Sequence, residues 1–144
     1  MTTKKKVYLA SFLAPMVIMF IAWAIDGFFP FGAKSLMAVD FNAQYIGLYA
    51  YFKHLFLNWD WSSFFYSFSK SIGGGMLGIW GFNLLSPFNF LFLLFSEENF
   101  QWVVPVTIAL RYGTMGLTMT HFLVKRYDGL KKKAYLLPIV ATIY

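Results

Sequence analysis

Residues 7–25 read VYLASFLAPMVIMFIAWAI, nineteen in a row without a charge. As a helix this run would reach about 28 Å at ~1.5 Å per residue, enough to cross the hydrocarbon core of a bilayer. Lys4, Lys5 and Lys6 stand before it, and Asp26-Gly27 follow. A lysine-rich start, an apolar run and Ala22-Trp23-Ala24 also fit a cleaved signal peptide loosely. The stretch is long for a signal core, and the bulky Trp23, Phe28 and Phe29 suit a membrane interface. An uncleaved membrane helix is therefore expected.

Composition points the same way. Of 144 residues, 59% are hydrophobic, 22% aromatic and 12% charged. Soluble domains carry about 25% charge, and one of this length has too little interior to hide so much Phe, Leu and Trp. Disorder needs the opposite balance, low hydrophobicity with high charge. The absence of cysteine excludes disulfides, thiolate metal sites and a cysteine nucleophile.

A second candidate span, Phe100–Val124, is twenty-five residues long and broken by Arg111 and His121. Ala134–Tyr144 opens another apolar run but holds eleven residues, too few to span. The expected fold is an all-α polytopic membrane protein with two spans, a truncated third and a long external loop. Its parts are a cytoplasmic N-terminus over 1–6, a first transmembrane helix over 7–29 and an external loop over 30–99. A second transmembrane helix covers 100–124, a cytoplasmic loop 125–133, and the start of a third helix 134–144, so a longer protein is expected.

Charge placement gives the sidedness. Lys4–Lys6, Lys125, Arg126 and Lys131–Lys133 are eight basic residues flanking the spans, against one acid, Asp128. Between the spans, Lys34, Lys53 and Lys70 face five acids: Asp26, Asp40, Asp60, Glu97 and Glu98. The positive-inside rule makes both basic clusters cytoplasmic and the loop external. With Arg111 in the second candidate span, these residues account for the net charge of +6. No nucleic-acid partner is expected, because no basic patch interleaved with stacking residues remains.

Met76–Phe95 also lacks charge, but Gly78, Gly81, Asn83 and Ser86-Pro87-Phe88-Asn89 interrupt it. It reads as a loop leading to a short interfacial or re-entrant helix near Phe88–Phe95. Ser35–Asn58 has helical periodicity. Asp40, Gln44, Gly47, Tyr51 and His54 are spaced four, three, four and three, so they share one face. Apolar residues crowd the rest of the circumference, which predicts an amphipathic helix along the membrane surface.

The stretch from Trp59-Asp60-Trp61-Ser62-Ser63 to Ser67-Phe68-Ser69-Lys70-Ser71 mixes aromatics with hydroxyls and matches no metal site or catalytic triad by spacing. Ile72-Gly73-Gly74-Gly75-Met76 is a turn whose amides could approach a phosphate, Gly73 and Gly74 foremost. It lacks the Lys-Ser/Thr ending of a nucleotide loop, and a plain turn is the commoner use. Arg111, in mid-span, either holds a lipid phosphate or pairs with an acid on another helix. His121, close to the cytoplasmic edge, reads as an interfacial side chain.

Taken in order, these pieces resemble the YfhO family of bacterial multispanning membrane proteins. The residues that carry the likeness are Asp40-Phe41-Asn42-Ala43-Gln44-Tyr45, then Ser67-Phe68-Ser69 with Gly73-Gly74-Gly75, then Asn83-Leu84-Leu85-Ser86-Pro87-Phe88-Asn89. That family is similar to GT-C glycosyltransferases, which take sugars from polyprenyl-phosphate carriers and place an acid in the first external loop. In Gram-positive bacteria such proteins are associated with glycosylating teichoic acids. The resemblance implies Asp40 as the base or as a ligand for a divalent cation, with Gln44 and Tyr45 orienting substrate or Asp40. It also implies a polyprenyl-phosphate sugar donor, membrane lipid and a cell-envelope glycopolymer as partners. Without it, Asp40 reads as a cap of the external helix. A permease or a non-catalytic membrane subunit is the alternative, though transporters concentrate polar residues inside their spans.

Overall fold

A computed structural model describes residues 3–39, 41–68, 70, 72–127 and 136–143. Among them the helices are α1 (Thr3–Asp26), α2 (Ile46–Leu57), α3 (Leu77–Ile79), α4 (Phe100–Arg126) and α5 (Leu137–Ile143). An antiparallel pair of two-residue strands, β1 (Tyr66–Ser67) and β2 (Gly74–Gly75), lies between α2 and α3 in the chain. The chain divides into two compact units, Met1–Lys34 with Ile108–Tyr144, and Ser35–Thr107.

In the first unit, Lys5–Asp26 of α1 has a mean hydropathy of 2.1 and is, among the described residues, the one helix both long and apolar enough to cross a membrane. Leu9, Leu13, Val17, Ile18, Ile21 and Ile25 are all exposed. A helix packed in water would turn polar residues outward at those positions. The helix ends at Asp26, three residues before the expected limit of 29. Gly27, at φ +73°, closes it. Phe28 N–H donates to the Trp23 carbonyl (2.8 Å) and Gly27 N–H to that of Ala24 (3.3 Å). This is the paired bonding of a Schellman cap, which needs a left-handed residue at that point.

Helix α4 has the length of a span, at 27 residues, but includes Arg111, His121 and four threonines. It runs antiparallel to α1, since the Tyr8 hydroxyl lies 3.5 Å from His121 Nδ1 while Phe12 and Met16 meet Gly113. Lys5 and Lys6 thus stand at the same end of the pair as Lys125 and Arg126. Gly113 and Gly116 let the backbones approach, as small residues do between membrane helices.

The second unit is organised by aromatic rings. Helix α2 buries Tyr49, Phe52 and Leu55. Tyr49 stacks on Phe92 at 4.0 Å, Phe52 meets Trp80 at 5.9 Å, and Trp80 stacks on Phe64 at 4.4 Å. The Trp80 indole N–H donates to the Phe64 carbonyl at 2.7 Å, so the largest core side chain is also satisfied. Helical structure starts later than the periodicity suggests. A single π turn, Phe41–Tyr45, leads into α2, while Met37 N–H donates to Ser35 Oγ and Val39 sits at φ +51°. That local hydroxyl bond competes with helix, and a left-handed residue cannot continue one.

Residues 76–95 form no single helix. The three-residue α3 passes into a π turn, Trp80–Leu84, and after Ser86 a 3-10 helix covers Pro87–Leu93. Pro87 takes the first helical position, where its missing N–H costs nothing. Asn89 is fully buried. Its amide donates to the carbonyls of Asn83 (2.7 Å) and Leu84 (3.1 Å), closing the preceding turn.

Candidate functional site

The site is built on one face of α2 and the turn before it. Gln44, Gly47, Tyr51 and His54, which the sequence spacing puts together, line two adjoining hollows in the second unit. The larger, about 710 Å³, is completed by Leu48, Ser67, Lys70, Met76, Ile79 and Phe82 among others. The smaller, about 410 Å³, adds Asp60, Ser63, Ser67 and Glu97. Both fall in the ~300–1,000 Å³ range of small-molecule sites. Gly47, Tyr51 and Ser67 line both hollows and form the wall between them.

The turn after α2 delivers Asp60. Trp59 takes a left-handed conformation, φ +54°, and Asp60 N–H donates to the Leu55 carbonyl at 3.1 Å. This again is a Schellman closure, here without the usual glycine. The Asp60 carboxylate then accepts hydrogen bonds from the hydroxyls of Ser62 and Ser63. Those bonds, Ser62 first, hold its pKa below the ordinary carboxylate range, with a smaller contribution from His54. Tyr51 donates to the Ser63 carbonyl. Burial, and then the neighbouring Asp60 charge, push its phenol above the ordinary tyrosine range, while a hydrogen bond with Ser67 opposes them.

The two-stranded hairpin supplies the opposite wall. Ser67, 5% exposed, pairs with Gly74 across it. The Lys70 ammonium donates to the Gly75 carbonyl at 2.9 Å, using one of its three donors.

Of the expected site residues, Gln44 lines the larger hollow. Tyr45 stacks on Phe41 at 5.2 Å and lies 6.1 Å from Phe82, outside the described lining. Gly73 and Gly74 belong to the hairpin turn and its second strand, outside the described lining of the two hollows. Gly73 is at φ +107°, and a side chain on it would strike the Tyr66 hydroxyl. Arg111 is half-buried on α4, in the other unit. Asp40 lies outside the described residues. Among the described residues, no group of three or more His, Asp or Glu is placed to hold a metal ion.

Sequence reasoning passed over Lys70, Ser67, Ser63, Asp60 and Glu97 as a group. Asp60 followed by two serines carried a local signal, because hydroxyls two and three residues on can reach back to a carboxylate. Lys70 and Glu97 arrive by tertiary folding and left no local signature.

No curated protein and no solved structure matches the chain. The family model described as "Bacterial membrane protein YfhO" matches residues 11–144. That covers the apolar helix from Ser11 onward, the α2 face, the hairpin and the Asn89 closure, and the chain belongs to the YfhO family of bacterial membrane proteins.

Proposed function

We propose that the chain serves a membrane glycosyltransferase reaction, moving a sugar from a polyprenyl-phosphate carrier to a cell-envelope glycopolymer such as teichoic acid. The observation that carries this reading is the larger hollow. Among its described lining residues Lys70 has the only charge, beside the polar groups of Gln44, Tyr51 and Ser67 and an apolar wall of Leu48, Met76, Ile79 and Phe82. A ligand with an anionic head and an apolar tail matches that lining, which is the chemistry of a lipid phosphate.

In the proposed reaction an acceptor hydroxyl oxygen bonds to the anomeric carbon. The bond from that carbon to the phosphate oxygen breaks, and its electron pair leaves with the polyprenyl phosphate. Asp40, one helical turn before Gln44 in sequence, takes the acceptor proton as general base. Lys70 steadies the negative charge on the departing phosphate, and Gln44 orients the donor.

Both α1 and α4 cross the membrane in this reading, with the lysine-rich ends cytoplasmic and the segment between them outside. Three observations favour it. The basic ends of α1 and α4 stand together. The Thr114 and Thr118 hydroxyls donate to the carbonyls of Leu110 (2.8 Å) and Thr114 (2.9 Å), so two polar groups of α4 need no water. The outward side chains of α1 are apolar.

Loss of sugar from a polyprenyl-phosphate donor, measured in membranes carrying the protein, tests the reading against solute flux in proteoliposomes. Transfer without flux is expected. Flux without transfer would make the protein a permease, and neither would make it a non-catalytic subunit.

A further inference from the structure

The two hollows carry opposite charge on either side of one wall. Beyond the shared Gly47, Tyr51 and Ser67, the larger adds Lys70, Gln44 and five apolar side chains among its described lining residues. The smaller adds Asp60, Glu97, His54 and Ser63, and no aliphatic side chain larger than that of Ala50. We propose that the smaller hollow seats an uncharged, polyhydroxylated ligand, the sugar or polyol end of the acceptor, while the larger holds the phosphate-bearing donor. This assignment rests on the glycosyltransferase reading and deepens it.

A phosphate placed beside Asp60 and Glu97 would meet two like charges and no lysine or arginine among the described lining residues. A carboxylate accepts hydrogen bonds and donates none, so it suits hydroxyl groups, which donate. Asp60 is held ready for this, with one serine hydroxyl on each carboxylate oxygen and further lone pairs free to accept. Its lowered pKa keeps it anionic at neutral pH and makes it a holder of hydroxyls rather than a base. Tyr51, in the wall that the two hollows share, donates to the Ser63 carbonyl and would lose that bond on swinging aside.

Titration calorimetry on the protein in nanodiscs, with methyl glucoside and hexyl phosphate as probes, tests the assignment. The double variant Asp60→Asn, Glu97→Gln should weaken methyl glucoside binding by about tenfold, the scale of a lost bond to a charged group, and leave hexyl phosphate as tight or tighter. Lys70→Gln should do the reverse. Each variant's retained probe reports that it is folded, and Ser63→Ala gives a second, charge-neutral loss of methyl glucoside binding. The proposal is overturned if wild-type protein shows no saturable methyl glucoside binding. It is overturned equally if the double variant weakens both probes alike while keeping the wild-type circular dichroism. Binding is read without turnover, so this assignment fails here even where transfer is found, and the transferase reading fails in its own assay even where the probes separate.

Discussion

Gly116 of α4 packs directly on Ser11 of α1, and a methyl group built on the glycine would strike the Ser11 carbonyl oxygen. That carbonyl lies four residues before Pro15, whose nitrogen carries no hydrogen to bond it. The proline frees an oxygen, and the glycine lets the neighbouring helix come close enough for its Cα–H to face it. Gly113 plays a softer part, because its added methyl would meet Phe12 and Met16 side chains at 2.8 Å rather than backbone.

Gly116→Ala should therefore lower stability by about 1–3 kcal/mol, the usual cost of overpacking. Gly113→Ala should cost less, because side chains can turn where a helix backbone cannot. Thermal unfolding of the detergent-solubilised variants reads the order, and equal losses would contradict the backbone contact.

Asn89 gives a second test, in the other unit. Replacing it with Leu leaves the carbonyls of Asn83 and Leu84 without its two donors in a buried setting. A loss of about 1–3 kcal/mol is expected for an unsatisfied buried polar group. Asn89→Asp should be worse, since it turns carboxylate oxygens toward those carbonyls. Unchanged melting of either variant would remove Asn89 from its place as the closing residue of that turn.

The Tyr51–Asp60 pair predicts a pH response. Tyr51 is raised above its ordinary 10.0, so its contribution to stability is complete below about that pH and is lost as pH rises through the raised value. Asp60 is lowered below its ordinary 3.8. Its contribution is present above that pH and is lost as pH falls through the lowered value. Asp60→Asn should bring the Tyr51 titration down only part of the way, because burial is the larger cause and remains. NMR titration of carbon-13-labelled tyrosine measures it, and no movement would show that the carboxylate does not act on the phenol.

Much of this was legible in the sequence because it rests on local pattern. Residues 7–25 announced an apolar helix by length and composition. The four–three spacing of Gln44, Gly47, Tyr51 and His54 named a helix face before the hollows on it were known. The Ser86-Pro87 break was visible because proline cannot sit inside a helix without losing a bond. Other features depend on partners distant in the chain. Nothing local to Lys70 says that it lines a hollow with Gln44, and nothing local to Glu97 says that it lines one with His54. The glycine run read as a plain or phosphate-binding turn, yet Gly74 and Gly75 pair with Tyr66 and Ser67 as a short hairpin. Asn89 looked like a family signature and proves to close a buried turn.

In the proposed reaction Asp40, four residues before Gln44 in the sequence, takes the acceptor's proton. The most direct test of that step is the rate of transfer from a radiolabelled polyprenyl-phosphate sugar in membranes carrying wild-type protein or the Asp40→Asn variant at matched expression. Loss of a general base predicts a fall of about 10²–10⁴-fold. A variant that transfers sugar at near the wild-type rate would contradict the account.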